Sequence, residues 1–184
     1  MISHKGTQKL CTKRVFLRKF ESNDAEHIFY NWAGDENVTK YLIWDTHPDV
    51  AHTRIILEQW LGEYGKQSYY NWAIVLKTIR QPIGSIGVVS QEDSLLTCEI
   101  GYCIGRKYWN CGIMTEVLGS ILEYLLYEVG YSRIEALHDI LNGASGKVMK
   151  KCNMTFEGNK RNGIYRKDGS RADLAMYAII KDAK

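Results

Sequence analysis

Residues 99 to 116 read Glu-Ile-Gly-Tyr-Cys-Ile-Gly-Arg-Lys-Tyr-Trp-Asn-Cys-Gly-Ile-Met-Thr-Glu: an apolar strand, a small polar loop, and the start of a long amphipathic helix. The first amides of a helix have no partner within it, and the aligned peptide dipoles make that end electropositive. Gly112 removes a side chain where the backbone would meet an anion. The stretch therefore predicts a site for a phosphate group, carried by a nucleotide or a phosphorylated cofactor. A strand, a glycine turn and a helix recur in most α/β proteins, so the residues themselves must carry the rest.

Downstream, Ile113, Val117, Ile121 and Leu125 lie four apart, and Met114, Leu118 and Leu122 widen the stripe. That pattern predicts a helix to Val129 packed broadly on a sheet, stopped by Gly130 in the left-handed region. Arg133 to His138 reads as a short strand and Ala144 to Cys152 as a short helix, with Asn153 as its left-handed stop. Thr155 to Lys160 and Leu174 to Lys181 read as closing strands, with turn chemistry at Lys167-Asp168-Gly169-Ser170. Upstream, Arg14 to Phe20 alternates as a first strand, and Asn23-Asp-Ala-Glu26 has the capping-box pattern of a helix that ends near Gly34. A second helix starts around Pro48 and Asp49 and stops near Gly62 or Gly65. Asn71 to Lys77 and Ile83 to Val89 form an antiparallel hairpin, which Leu95 to Ile104 continues as a meander. Antiparallel strands followed by a helical crossover to a neighbouring strand make an α/β (α+β) fold with a mixed sheet.

The 184 residues, 45% of them hydrophobic, suit one soluble domain spanning 1–184 with a core of about 12–181. No apolar run reaches the roughly 18 residues that would span a membrane, and Met-Ile-Ser-His-Lys-Gly-Thr lacks the apolar segment of a signal peptide. A cytoplasmic protein is expected. Cys11, Cys98, Cys103, Cys111 and Cys152 are scattered without the paired spacing of a zinc or redox motif, so no metal is expected and the cysteines read as free thiols in a reducing compartment. Cys111 stands out, because a thiolate is stabilised at a helix N-terminus. A net charge of +3 does not argue for nucleic acid, and the basic segment with Lys160, Arg161, Arg166, Lys167 and Arg171 reads as a solvated face.

Trp109-Asn110-Cys111-Gly112-Ile113-Met114-Thr115-Glu116 resembles the acetyl-CoA pyrophosphate loop of the GNAT superfamily of N-acetyltransferases. The family pattern is Gln or Arg, two residues, Gly, one residue, then Gly or Ala. The Rim-type branch, which acetylates ribosomal-protein N-termini, usually reads Trp-Gly-Lys-Gly there; Trp109 and Gly112 fit, while Asn110 and Met114 depart. A second block, Asn142-Gly-Ala-Ser145 followed by Val148-Met149-Lys-Lys-Cys-Asn-Met-Thr-Phe-Glu-Gly158, resembles the Asn-x-x-Ser, helix, Gly-Met/Phe, Glu-Gly segment of that branch. The resemblance implies a mostly antiparallel sheet of about six to seven strands flanked by about four helices. It also implies fourth and fifth strands that splay apart to hold the pantetheine arm.

What it implies chemically is direct transfer of an acetyl group to a primary amine in a ternary complex. The backbone amides of Asn110, Cys111, Gly112, Ile113, Met114 and Thr115 would hold the pyrophosphate, with Trp109 opening the loop. The main chain of Tyr102 and Ile104 and the side chain of Asn142 would hold the pantetheine arm. Asn110 and Met114 fit this role only if their side chains point away from the ligand. Ser145 carries over as the proton donor to the leaving sulfur; as a residue near a helix start, it could equally be an N-cap or first-turn residue. Met149 stands where many relatives have a catalytic Tyr and cannot donate a proton.

A peptide α-amine titrates at about 7.7 and a lysine at about 10.4, so an N-terminal acceptor needs the weaker base. Glu99 ranks first for that role, because several superfamily members keep a glutamate on this strand; an ion pair across the sheet is its structural alternative. His138 and Asp139, at the end of the next strand, follow, since histidine titrates in the useful range. Trp44, in a polar stretch, is the candidate for the acceptor pocket.

The leading expectation is an acetyl-CoA-dependent enzyme acting on a protein or peptide N-terminal α-amine. A small-amine enzyme of the same fold, taking a polyamine, an aminoglycoside or an amino acid, is the alternative. A polycation would call for an acidic cleft, which Glu21, Asp24, Asp35, Glu36, Asp45 and Asp49 could supply. A non-catalytic acyl-CoA binding module ranks last. A homodimer paired through the closing strands is a further expectation.

Overall fold

The computed structural model describes residues 1–181; residues 182–184, the end of the expected domain, lie outside the described residues. The strands form one sheet: β1 (Leu10–Cys11), β2 (Val15–Arg18), β3 (Asn71–Leu76), β4 (Gln81–Glu92), β5 (Thr97–Ile104), β6 (Arg133–Asp139), β7 (Thr155–Tyr165) and β8 (Arg171–Ile180). Their spatial order is β1-β2-β3-β4-β5-β6-β8-β7, so the last two strands reverse. The helices are α1 (Ala25–Ile28), α2 (Glu36–Thr39), α3 (Val50–Glu63), α4 (Ile113–Glu123) and α5 (Gly143–Lys151). The chain groups into two compact units, one of residues 4–87 and 102–113, the other of residues 1–3, 88–101 and those from Met114 onward.

In the first unit β1, β2, β3 and the start of β4 run antiparallel, through Leu10↔Leu17, Val15↔Leu76 and Asn71↔Gly87. Phe20, Ile28, Trp32 and Leu57 join Ala73 and Val75 of β3 in a buried cluster, so the helices seat their apolar stripes on the sheet. Gly84 permits a close approach there: a Cβ would lie 2.4 Å from the carbonyl oxygen of Cys103. The first helical segment starts earlier than the expected Asn23–Glu26 box. Asp24 is pinned by two hydrogen bonds from Arg18 (2.7 and 2.9 Å) and accepts the Glu21 amide at 2.8 Å, so the chain turns helical at Ser22. Asp49 caps α3 by accepting the His52 amide at 2.7 Å, as its position predicts.

In the second unit α4 buries Val117, Leu118 and Ile121 completely, then loosens into a π-helical turn over Tyr124–Val129, which buries Leu125 and which Gly130 ends at φ 101°. β5 and β6 are parallel, paired from Thr97↔Arg133 to Glu99↔Glu135, while β6 runs on against β8 to Asp139↔Leu174.

Some elements exceed the sequence expectation. The two-residue β1 and the four-residue α2 are too short to show a period. The closing hairpin is longer than predicted, because most of β7 is exposed and polar, leaving no alternation to read. With β1 added the sheet has eight strands among the described residues, and the expected fourth and fifth strands are β5 and β6.

Candidate active site

The phosphate loop grows out of β5. After Ile104 the chain makes a short 3₁₀ turn, Arg106–Tyr108, and the indole N–H of Trp109 donates back to the Ile104 carbonyl at 2.9 Å. Trp109 thus clamps the loop to the strand end while remaining 43% exposed. Asn110 has φ 58° and Gly112 has φ 72°, so two left-handed residues flank Cys111. Asn is the side-chain-bearing residue that best tolerates this region, which explains how it stands where the family has Gly. The Asn110 side chain is exposed, and Met114 is buried at 6% exposure.

One loop residue was missed. The guanidinium of Arg14 donates from Nη1 to the Cys111 carbonyl at 2.7 Å, and Nη2 lies 3.6 Å from where a Gly112 Cβ would be. A permanent cation therefore borders the loop. Arg14 and Cys111 are 97 positions apart, and no local pattern links them. The Cys111 thiol is exposed and points to the Trp109 carbonyl at 3.3 Å.

On the second unit, Glu99 stands in register with Glu135 across the parallel ladder. Burial and the Glu135 carboxylate hold its carboxyl above the usual range, against the pull of Lys160 and a hydrogen bond with Ser90. Glu135 is itself held by Arg133 at 2.6 Å, and Arg133 also pairs with Glu157. His138 is turned inward. Its Nδ1 lies 2.7 Å from the Asp139 carbonyl, which requires the proton on Nδ1. Its Nε2 is buried beneath Gly146, has no hydrogen-bond partner among the described residues, and the ring stacks on Tyr177.

Asn142 caps α5 by position, yet its side chain makes no cap hydrogen bond. Its backbone N–H donates to the Asp139 carbonyl (2.7 Å) and its backbone carbonyl accepts the Ser145 N–H (3.1 Å), so neither bond uses the carboxamide. Ser145 is the third residue of α5, half-buried, so the capping position falls to Asn142 rather than to the serine.

Trp44 is partly buried against the helical cluster, its ring 5.4 Å from that of His47. Several of the carboxylates that could line an acidic cleft are already engaged. Asp24 and Glu21 meet Arg18, Asp35 sits 3.1 Å from Arg106 and caps α2, and Asp49 caps α3. Among the described residues no group of His, Cys, Asp or Glu side chains is placed to hold a metal ion, and no helix is long and apolar enough to cross a membrane.

One parallel pair, β5 and β6, within a mostly antiparallel sheet, and a left-handed loop before α4, form the frame of an acetyltransferase, as a family model shows. The chain belongs to the GNAT family: the model of the acetyltransferase (GNAT) domain matches residues 14–155. It is 30% identical to the uncharacterized N-acetyltransferase p20 of Bacillus licheniformis over 178 residues, covering 95% of this chain and 97% of that one. A GNAT-family acetyltransferase from Bacillus anthracis superposes with a TM-score of 0.82 at 26% identity, covering 94% of this chain and 98% of that chain. RimL, a ribosomal L7/L12 α-N-protein acetyltransferase solved with coenzyme A, shares the fold with a TM-score of 0.85 at 18% identity, over 96% and 100% of the two chains.

Proposed function

We propose that this acetyltransferase transfers the acetyl group of acetyl-CoA to the α-amine of a protein or peptide N-terminus. The observation that carries the reading is the loop from Trp109 to Thr115, whose left-handed Asn110 and Gly112 shape an anion cradle beside the Arg14 guanidinium. Acetyl-CoA brings the thioester carbonyl and a thiol leaving group. The loop amides and Arg14 hold its phosphates, and the main chain of Tyr102 and Ile104 with the Asn142 carboxamide aligns the pantetheine arm.

Glu99, its carboxyl raised by burial and by Glu135, takes the proton of the incoming ammonium. Ser145 gives a proton to the departing sulfur. His138, with its Nε2 covered by Gly146, serves the packing of α5 on β6 rather than the proton transfer. An α-amine acceptor is favoured over a polycation because Asp24, Asp35 and Asp49 are committed to ion pairs and caps. The enzyme works in the cytoplasm, which suits five unpaired cysteines, and a homodimer would pair through the outer strand β7.

The test is thiol release from acetyl-CoA with peptides bearing N-terminal Ala or Ser, set against polyamines, aminoglycosides and amino acids. Release with peptides alone is expected. Release only with small amines would replace the acceptor class, and coenzyme A binding without release from any amine would make the chain a binding module.

A further inference from the structure

The turn from β6 to α5 is wound around one residue. Asp139 is 2% exposed, and its Oδ1 accepts the Leu141 amide at 2.9 Å while its carbonyl accepts the Asn142 amide at 2.7 Å. The same carboxylate is gripped from outside the turn: Arg166 donates from Nε to Oδ2 at 2.7 Å and from Nη2 to Oδ1 at 3.0 Å. Arg166 belongs to the turn that joins β7 to β8, itself closed by Arg166 N–H to the Ser170 carbonyl (2.8 Å) and Gly169 N–H to the Arg166 carbonyl (2.9 Å).

A fork of two parallel hydrogen bonds fixes the plane of a carboxylate, which a single ammonium contact does not. With that plane set, Oδ1 is aimed at the Leu141 amide, and the backbone enters Asn142 at φ −91° and ψ 60°, outside the helical region. The Asn142 side chain makes no cap hydrogen bond, so the backbone, which places its Cβ and the rotamers open to it, sets the region the carboxamide can reach.

We propose that Arg166 and Asp139 are positioning residues for acetyl-CoA: the guanidinium in the closing hairpin locks the carboxylate that shapes the β6–α5 turn, and through that turn aims the Asn142 carboxamide. The proposal rests on Asn142 as a ligand contact, and its test separates the two ideas. Coenzyme A affinity is measured by calorimetry on the full chain for the wild type, Arg166→Gln, Arg166→Lys, Asn142→Ala and the double variant Arg166→Gln/Asn142→Ala, with thermal unfolding followed alongside.

Expected are a roughly tenfold loss for Arg166→Gln, partial recovery for Arg166→Lys, and no further loss when Arg166→Gln is added to Asn142→Ala. A purely structural arginine would give losses that multiply in the double variant, and that result overturns the proposal, as does wild-type affinity in Arg166→Gln. Wild-type affinity in Asn142→Ala overturns the contact itself, and a wild-type chain that binds no coenzyme A overturns the acetyl-CoA reading along with it. Should Arg166→Gln fail to fold, Arg166→Lys in the two Asn142 backgrounds makes the same comparison.

Discussion

Single side chains at the loop and on β5 have opposite demands placed on them. Gly112 stands at φ 72°, where an L side chain costs about 1–2 kcal/mol, so Gly112→Ala is expected to weaken coenzyme A binding by about tenfold. Asn110→Gly, by contrast, should bind about as well as the wild type, because the left-handed backbone is kept; calorimetry reads both. Glu99 is held above its ordinary value by burial and by Glu135, so its ionised form is disfavoured in the fold at neutral pH. That cost is relieved as pH falls through the raised value, and Glu99→Gln removes it. The variant should therefore melt at a higher temperature near pH 7 while losing the acid limb of its kcat/KM profile, a trade of stability for activity. Thermal melting and a pH profile check the two halves. Glu99 could be singled out from the sequence, but the carboxylate facing it could not, since the pairing with Glu135 depends on the β5–β6 register.

Among the elements, α5 packs closely on β6. A Cβ at Gly146 would come 2.6 Å from His138 Nε2, and the ring cannot retreat because Tyr177 stacks on it. Gly146→Ala gains roughly 1 kcal/mol of helix propensity but forces apart a packed helix and strand at about 1–3 kcal/mol. A lowered melting temperature and weaker coenzyme A binding are expected together. The loop offers a second check, since Cys11 and Cys111 are the exposed thiols. Acetyl-CoA should protect Cys111 from a bulky maleimide and leave Cys11 reactive, as read by mass spectrometry; equal protection or none would move the phosphate site elsewhere. The helices α3, α4 and α5 were legible in periodicity and caps. The strand β1, the helix α2 and the outer half of β7 were not, because two or four residues hold no period and an exposed strand need not alternate.

Over the whole molecule, the carboxylates decide the response to acid. Hydrogen bonds from Arg166 hold Asp139 below the usual carboxylate range, and those from Arg133 do the same for Glu157. A group depressed in the fold stabilises above its unfolded value, about 3.9 for Asp and 4.3 for Glu, and loses that contribution as pH falls through the folded value. Stability should therefore fall below about pH 4. In Arg166→Gln the part due to Asp139 should be absent already at neutral pH, which chemical denaturation across a pH series measures. Glu157 is well exposed to solvent screening, so its part is the smaller.

The residues alone carry the strand–loop–helix unit, the stops at Gly130 and Asn153, and the family to which the loop and the Asn142–Ser145 block point, because each depends on neighbours within a few positions. Asn153 is found at φ 61°, the conformation its place after α5 demands. Arg14 at the Cys111 carbonyl, Glu135 opposite Glu99, His138 beneath Gly146 and Arg166 on Asp139 came only with the folded chain. Those contacts join different elements, and whether residues of two elements meet is set by strand register and helix packing, which no local pattern of residues encodes.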